Sequence, residues 1–217
     1  MMGGCPGGGG GDGPSDVRYV NMATHGQMAT STCTFDASVF GPLTQYDATP
    51  FEILSTLDAP ATITDKDGNT VFATTELNLP GDFIVNMIAL GKDTNVELID
   101  VSKSHGHSLP GAGEVNISFV NGVEESFGVD VYVVNVGESL AGKTPVVSGI
   151  TYTEWSDDTM TFDGAGKDLV ACFHGTTTEM FRTSVTLSGG TEYLAVMVSP
   201  SGLPGSFKVL NFNDSPV

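Results

Sequence analysis

Positive charge is the scarcest commodity in this chain: 8 residues of 217 are lysine or arginine, against 26 aspartates and glutamates, for a formal net charge of −18. The imbalance is spread evenly, with eleven acids against three bases over residues 17–102 and thirteen against four over 114–217. A surface this uniformly acidic disfavours nucleic acid and anionic membrane surfaces as partners, and suits a salty medium or divalent cations. No run approaches the roughly 18 apolar residues that span a bilayer. No segment keeps a 3.6-residue apolar period between helix caps. A G-x-S-x-G elbow and a Cys/His pair at a catalytic spacing are both missing, so acyl transfer has no support. Tryptophan occurs once and cysteine three times.

What the chain has instead is glycine (28), proline (11) and short β-branched runs. That profile, with 40% apolar and 16% charged residues, predicts a turn-rich all-β protein. Val17-Arg18-Tyr19-Val20-Asn21 and Ile117-Ser118-Phe119-Val120-Asn121 open two stretches of about a domain's length each, which indicates tandem copies of one small domain. The predicted organisation is a Gly/Pro leader over 1–16, a β-sandwich over 17–103, a Ser/Gly/Pro/His linker over 104–113 and a second sandwich over 114–217. Both are expected to be antiparallel and immunoglobulin-like.

In the first half the strand-like runs are 17–21, 33–40, 50–56, 61–64, 70–74, 76–79, 83–90 and 96–101. In the second they are 115–121, 129–136, 146–153, 160–162, 169–174, 180–187, 193–198 and 206–212. Asp67-Gly68 between alternating runs predicts a hairpin. The almost unbroken apolar run Phe83–Leu90 predicts a central strand covered on both faces.

Ile117–Asn121 followed by Val129-Asp130-Val131-Tyr132-Val133, and later Leu187-Ser188-Gly189-Gly190-Thr191-Glu192-Tyr193, resemble the bacterial domain of unknown function 4397. The first half resembles it in Val17–Asn21 and Leu79-Pro80-Gly81-Asp82-Phe83, and departs at Cys33-Thr34-Phe35-Asp36-Ala37. The resemblance implies an extracytoplasmic, often lipid-anchored or surface-associated sandwich. It supplies no catalytic residues.

Several motifs invite a chemical reading. Met2-Gly3-Gly4-Cys5 resembles a lipobox followed by a flexible tether, making Cys5 a candidate lipid anchor or intermolecular thiol. Cys33 and Cys172 are the candidate disulfide, with buried free thiols as the alternative. Gly137–Thr144 fits G-x-x-x-x-G-K-[ST], but Pro145-Val146-Val147 is strand material where phosphate binding needs a helix. Asp65, Asp67, Asn69 and Glu76 fall at calcium-loop positions 1, 3, 5 and 12, yet Thr70 stands where that loop needs glycine. Asp157, Asp158, Asp163 and Asp168 read as an acidic turn. His105 and His107 lack the further ligands zinc requires, and His174 sits alone in an apolar strand. Tyr152 and Trp155 are a candidate ligand-stacking pair, with a core role as the alternative. No cofactor or metal is assigned, calcium being the one considered.

Three functions are weighed. The first is a secreted or surface-anchored, filament-forming structural subunit that associates with itself or other surface proteins through strand edges. The second is a surface lipoprotein module that binds carbohydrate or protein through loops 22–32, 137–145 and 154–167. The third, a nucleotide-using enzyme, rests only on the phosphate-loop match. The ranking is in that order, and the protein is expected not to be an enzyme.

Overall fold

The computed structural model describes residues 13–24, 26–92, 95–124, 128–161, 163–199 and 205–212. The first half runs β1 (Ser15–Asn21), a 3-10 turn (Gly26–Ala29), β2 (Thr30–Phe35), β3 (Ser38–Thr44), β4 (Asp47–Ala48) and β5 (Glu52–Leu54). It continues with β6 (Asp58–Asp65), β7 (Val71–Asn78), β8 (Phe83–Lys92) and β9 (Asn95–Ser104). The second half supplies β10 (Glu114–Asn121), β11 (Val129–Asn135), β12 (Val147–Ile150), β13 (Trp155–Thr161), β14 (Lys167–Phe173), β15 (Glu179–Val185), β16 (Thr191–Val198) and β17 (Ser206–Asn211). The fold is all-β, and among the described residues the one helical turn is the 3-10 segment.

Each half is a two-sheet sandwich, and the two correspond in topology, with β4 and β5 together in the place that β13 holds alone. Sheet I has the order β4-β1-β8-β9, with β5 also on β1, and sheet II has β3-β2-β6-β7. Sheet III has β13-β10-β16-β17, and sheet IV has β12-β11-β14-β15. The repeated pentapeptide is therefore the same structural strand twice: β1 lies parallel to β8, and β10 parallel to β16. Every other pairing is antiparallel, so one parallel ladder per domain qualifies the antiparallel expectation. The third strand hairpins onto the second within one sheet (β3 on β2, β12 on β11), whereas in immunoglobulin domains it crosses to the opposite sheet. Asn21 and Asn121 close the equivalent strands. Their side-chain amides donate to Met28 O (2.8 Å), in the connection to β2, and to Ile150 O (2.9 Å), at the end of β12.

Residues 33–40 form two strands rather than one. Asp36 and Ala37 make a two-residue hairpin, with Asp36 at φ 51°, a left-handed conformation that aspartate tolerates better than most residues. The Asp65–Thr70 turn forms as expected, with Gly68 at φ 73°. Residues 70–79, read as two strands, are the single strand β7. Of the short run 160–162, residues 160–161 are the end of the seven-residue strand β13, and residue 162 lies outside the described residues.

Among the described residues, three of four apolar clusters lie between sheets. Tyr19, Phe35, Phe40, Ile63 and Met87 belong to the core between sheets I and II. Ile117, Phe119, Leu169, Ala195 and Phe207 belong to the core between sheets III and IV. A third cluster joins the outer face of sheet I to that of sheet III through Val20, Ile88, Leu90, Leu194, Val196 and Phe212. The period-2 alternation of a strand explains how. Val85, Met87 and Ala89 of β8 face the first core, while Ile88 and Leu90 face the third. In β16, Ala195 and Met197 face the second core, while Leu194, Val196 and Val198 face the third. The continuous apolar run at 83–90 is thus covered on both sides, the far side by the other domain. The approach is close at Gly122, where an added Cβ would stand 3.0 Å from Leu90 Cδ2 and 2.6 Å from Met197 O.

Candidate functional site

Buried charge concentrates in the seam between the two domains. Arg18, on the outward face of β1, donates from Nε to Asn86 Oδ1 (2.5 Å) and from Nη2 to Asn211 O (2.6 Å) across the seam, and lies 4.7 Å from the centre of the Phe51 ring. Lys208 of β17 sits 4.3 Å from the Tyr46 ring of the other domain. With Lys103, this commits three of the chain's eight cations to one interface.

Lys103, near the end of β9, is the centre of the densest set of polar contacts. Its Nζ donates to Asn116 Oδ1 at 2.8 Å and lies 3.4 Å from both Glu192 Oε1 and Asp157 Oδ1. It also stands 4.6 Å from the centre of the Phe212 ring, a favourable cation–π placement. The Lys103 and Glu192 side chains are only 6% and 1% exposed. The second Glu192 oxygen is 2.7 Å from His107 Nε2. His107 Nδ1 is 2.5 Å from Ser104 O, which can only accept, so that contact is served by the tautomer with a hydrogen on Nδ1. Ser118 Oγ donates to Asp157 Oδ1 (2.5 Å), and Asn116 Nδ2 donates to Thr159 Oγ1 (3.0 Å). A buried ion pair survives only when its remaining hydrogen-bonding capacity is met in this way. Sequence reasoning missed this group because its members lie on β9, β10, β13 and β16. The available signals were a lysine closing an alternating apolar strand and a glutamate opening the most apolar strand of the second half.

Two further carboxylates knot the outer face of sheet IV. Asp130 accepts from His174 Nδ1 (2.8 Å), Ser148 Oγ (2.7 Å) and the amides of Gly149 (2.9 Å) and Gly175 (2.8 Å). Burial pushes its carboxyl up, but these four hydrogen bonds outweigh it and hold it below the usual carboxylate range. Asp168 accepts from Ser184, Gly137 N and Arg182 and is lowered against burial in the same way. His174 is therefore bound to a buried aspartate, and Ser148 hydrogen-bonds that aspartate rather than standing on the imidazole as a nucleophile would.

The phosphate-loop match covers this face. Leu140 packs with Tyr132, Val134, Val170 and Cys172, the Gly137 amide is taken by Asp168, and Lys143 is paired with Glu138 at 2.5 Å. The chain continues into β12 with no helix, so the donors that would cradle a phosphate are absent.

The remaining expectations fall as follows. Cys33 lies in the core of the first sandwich and Cys172 under Leu140 on the second; both are buried free thiols, which overturns the disulfide. Tyr152 and Trp155 are partly buried and pack against the interdomain core, so they form no exposed stacking platform; the core alternative holds. Asp65 accepts from the amides of Asp67, Asn69 and Thr70, while Glu76 stands away on β7 opposite Pro60, so the calcium positions do not converge. Asp157, Asp163 and Asp168 bind separate partners: Lys103, Lys167 and Arg182. His105 lies between Asp16 (3.2 Å) and Asp82 (3.1 Å), whereas His107 binds Ser104 O and Glu192. No group of three or more metal-ligating side chains converges among the described residues. Of the three proposed ligand loops, 22–32 enters β2 and 154–167 is largely β13. Cys5 and most of the leader lie outside the described residues.

The chain matches no family model and no curated protein. Among solved structures it is similar to a family 41 carbohydrate-binding module of streptococcal virulence factors, described for alpha-glucan recognition. The identity is 10%, with 92% of this chain and 97% of that one covered, at a TM-score of 0.32. A family 26 module of Eubacterium rectale Amy13K, solved with maltoheptaose, aligns at 10% identity over 91% and 96%, with a TM-score of 0.29. The pneumococcal glycogen-degrading virulence factor SpuA aligns at 10% identity over 91% of this chain and 24% of its own, with a TM-score of 0.28. Superpositions this loose transfer no residue and no ligand.

Proposed function

We propose that the protein is a non-enzymatic, extracytoplasmic building block: two copies of one sandwich domain fused into a four-sheet slab that associates with itself or with other surface proteins through a strand edge. The observation that carries this reading is the interdomain core. It commits the outer faces of sheets I and III to joining the halves, which leaves sheet edges and the outer faces of sheets II and IV for partners. Most edges are blunted in the ways that prevent pairing. Gly41-Pro42 interrupts β3, the β4–β5 edge is broken, β12 has four residues, β13 carries Asp157 and Asp158, and β15 carries Glu179 and Arg182. Strand β7 has eight residues, no proline and a single charge, Glu76, and exposes Val71. It is the edge best suited to accept an added strand. The matching sheet topology of the halves supports two copies of one domain.

Light scattering over rising protein concentration tests this. The wild type is expected to associate, and Val71→Lys with Thr74→Lys to remain monomeric; a wild type that stays a monodisperse monomer at high concentration refutes it. A second reading, carbohydrate binding, is favoured by one feature. A cleft of about 380 Å³ is lined by half-buried Phe72 with Asp65, Lys66, Asp67, Thr30 and Thr70, the pairing of an apolar ring and polar groups that sugars use. A glycan array probed with wild type and Phe72→Ala decides it, since binding that Phe72→Ala leaves intact counts against this cleft.

A further inference from the structure

We propose that Lys103 and Asn116 join in an intramolecular isopeptide bond, with Glu192 as the acid–base group that makes it. The inference is independent of the function proposed above. It rests on three features found together: a lysine nitrogen 2.8 Å from a side-chain amide oxygen, two carboxylates 3.4 Å from the same nitrogen, of which Glu192 is the buried one and Asp157 the exposed one, and the burial of the reacting lysine. The Lys103 side chain is 6% exposed and that of Glu192 is 1% exposed. Phe212 covers the ammonium on one side. The amine is held on the Asn116 carboxamide by a contact already in the fold, which lowers the orientational cost of bringing two such groups together.

The reaction balances without an oxidant or cofactor. A proton passes from the Lys103 ammonium to the Glu192 carboxylate, leaving a neutral amine and a neutral acid. The amine lone pair attacks Asn116 Cγ, the new C–N bond forms, and the carbonyl electrons move to Oδ1. Glu192 then protonates Nδ2, the Cγ–Nδ2 bond breaks, and ammonia leaves; it takes the remaining proton from Nζ. The net change is ammonium plus carboxamide to secondary amide plus ammonium ion. Asn116 Nδ2 already points to Thr159 Oγ1 at the surface, so the leaving nitrogen has a way out. His107, on the other Glu192 oxygen, orients the carboxyl. The product ties β9 of one domain to β10 of the next across the linker, so a pull along the chain bypasses residues 104–115.

Denaturing mass spectrometry of trypsin-digested protein tests the proposal. Formation of the bond is expected to yield peptide 93–143 uncut at Lys103 and lighter by one ammonia. Glu192→Gln is expected to give separate full-mass peptides 93–103 and 104–143. Full-mass separate peptides from the wild type overturn the proposal. So does a 104–143 peptide that has lost ammonia while Lys103 remains cleavable, because that marks a cyclic imide at Asn116. An ammonia-light 93–143 peptide from folded Glu192→Gln overturns the role of Glu192. Should that variant fail to fold, the wild-type digest still decides whether the bond exists.

Discussion

Ile88→Ala is the sharpest probe of how the two halves are joined. Ile88 has no exposed surface and belongs to the interdomain cluster, not to the core of its own sandwich. The substitution deletes three carbons, worth about 0.8 kcal/mol each in transfer alone. The cavity left behind brings the expected loss to about 2–5 kcal/mol. Were the halves independent, Ile88 would lie on the solvent face of sheet I and its truncation would cost less than about 0.5 kcal/mol. Ile63→Ala, in the first domain's own core, is the control and is costly on either view. Urea unfolding followed by far-ultraviolet circular dichroism and by Trp155 fluorescence reads the difference, since Trp155 packs against the seam. A midpoint drop for Ile88→Ala comparable with that for Ile63→Ala, at similar slope, is the expected result. A loss below about 0.5 kcal/mol beside a large one for Ile63→Ala would show the third core to be unimportant.

Two other outcomes follow from buried groups. Burial pushes the Cys33 thiol up to about 12 and the Cys172 thiol up to about 11, so in native protein neither should react with a thiol reagent at neutral pH, and both should react on unfolding; fast labelling of either in native protein would contradict the structure. Asp130 and Asp168 titrate below their unfolded value of 3.8, so their stabilisation is fully present above that pH and is lost as pH falls through the lower folded values. Asp130→Asn should therefore cost about 1–3 kcal/mol at neutral pH and flatten the acid limb of a melting-temperature profile; an unchanged limb refutes the assignment.

The alternation of apolar residues made the layered class legible, and the repeated pentapeptide located the same strand in each half. Phe83–Leu90 even announced two-sided cover, though not what would supply it, because the covering face is contributed by strands a hundred residues away. The hairpin at Asp36-Ala37 was missed because its left-handed turn is made by aspartate and alanine, with neither glycine nor asparagine to mark it. The polar seam was illegible for a different reason. Lys103 and Glu192 lie 89 residues apart, and nothing in strand periodicity says which outward-facing charges will be buried by a second domain. Tyr152 and Trp155 suffered from the same blindness: beside acids in sequence they resemble an exposed platform, and in the fold they are partly buried against the core between sheets I and III.

Strands β8 and β16 each serve two cores at once, which leaves them no face on which change is free. Drift in sequence should accordingly be slowest there and fastest on the threonine-rich outer side of β2 and β6. The two domains, although built alike, can no longer diverge, be shuffled or be inherited separately without one carrying matching changes for the other.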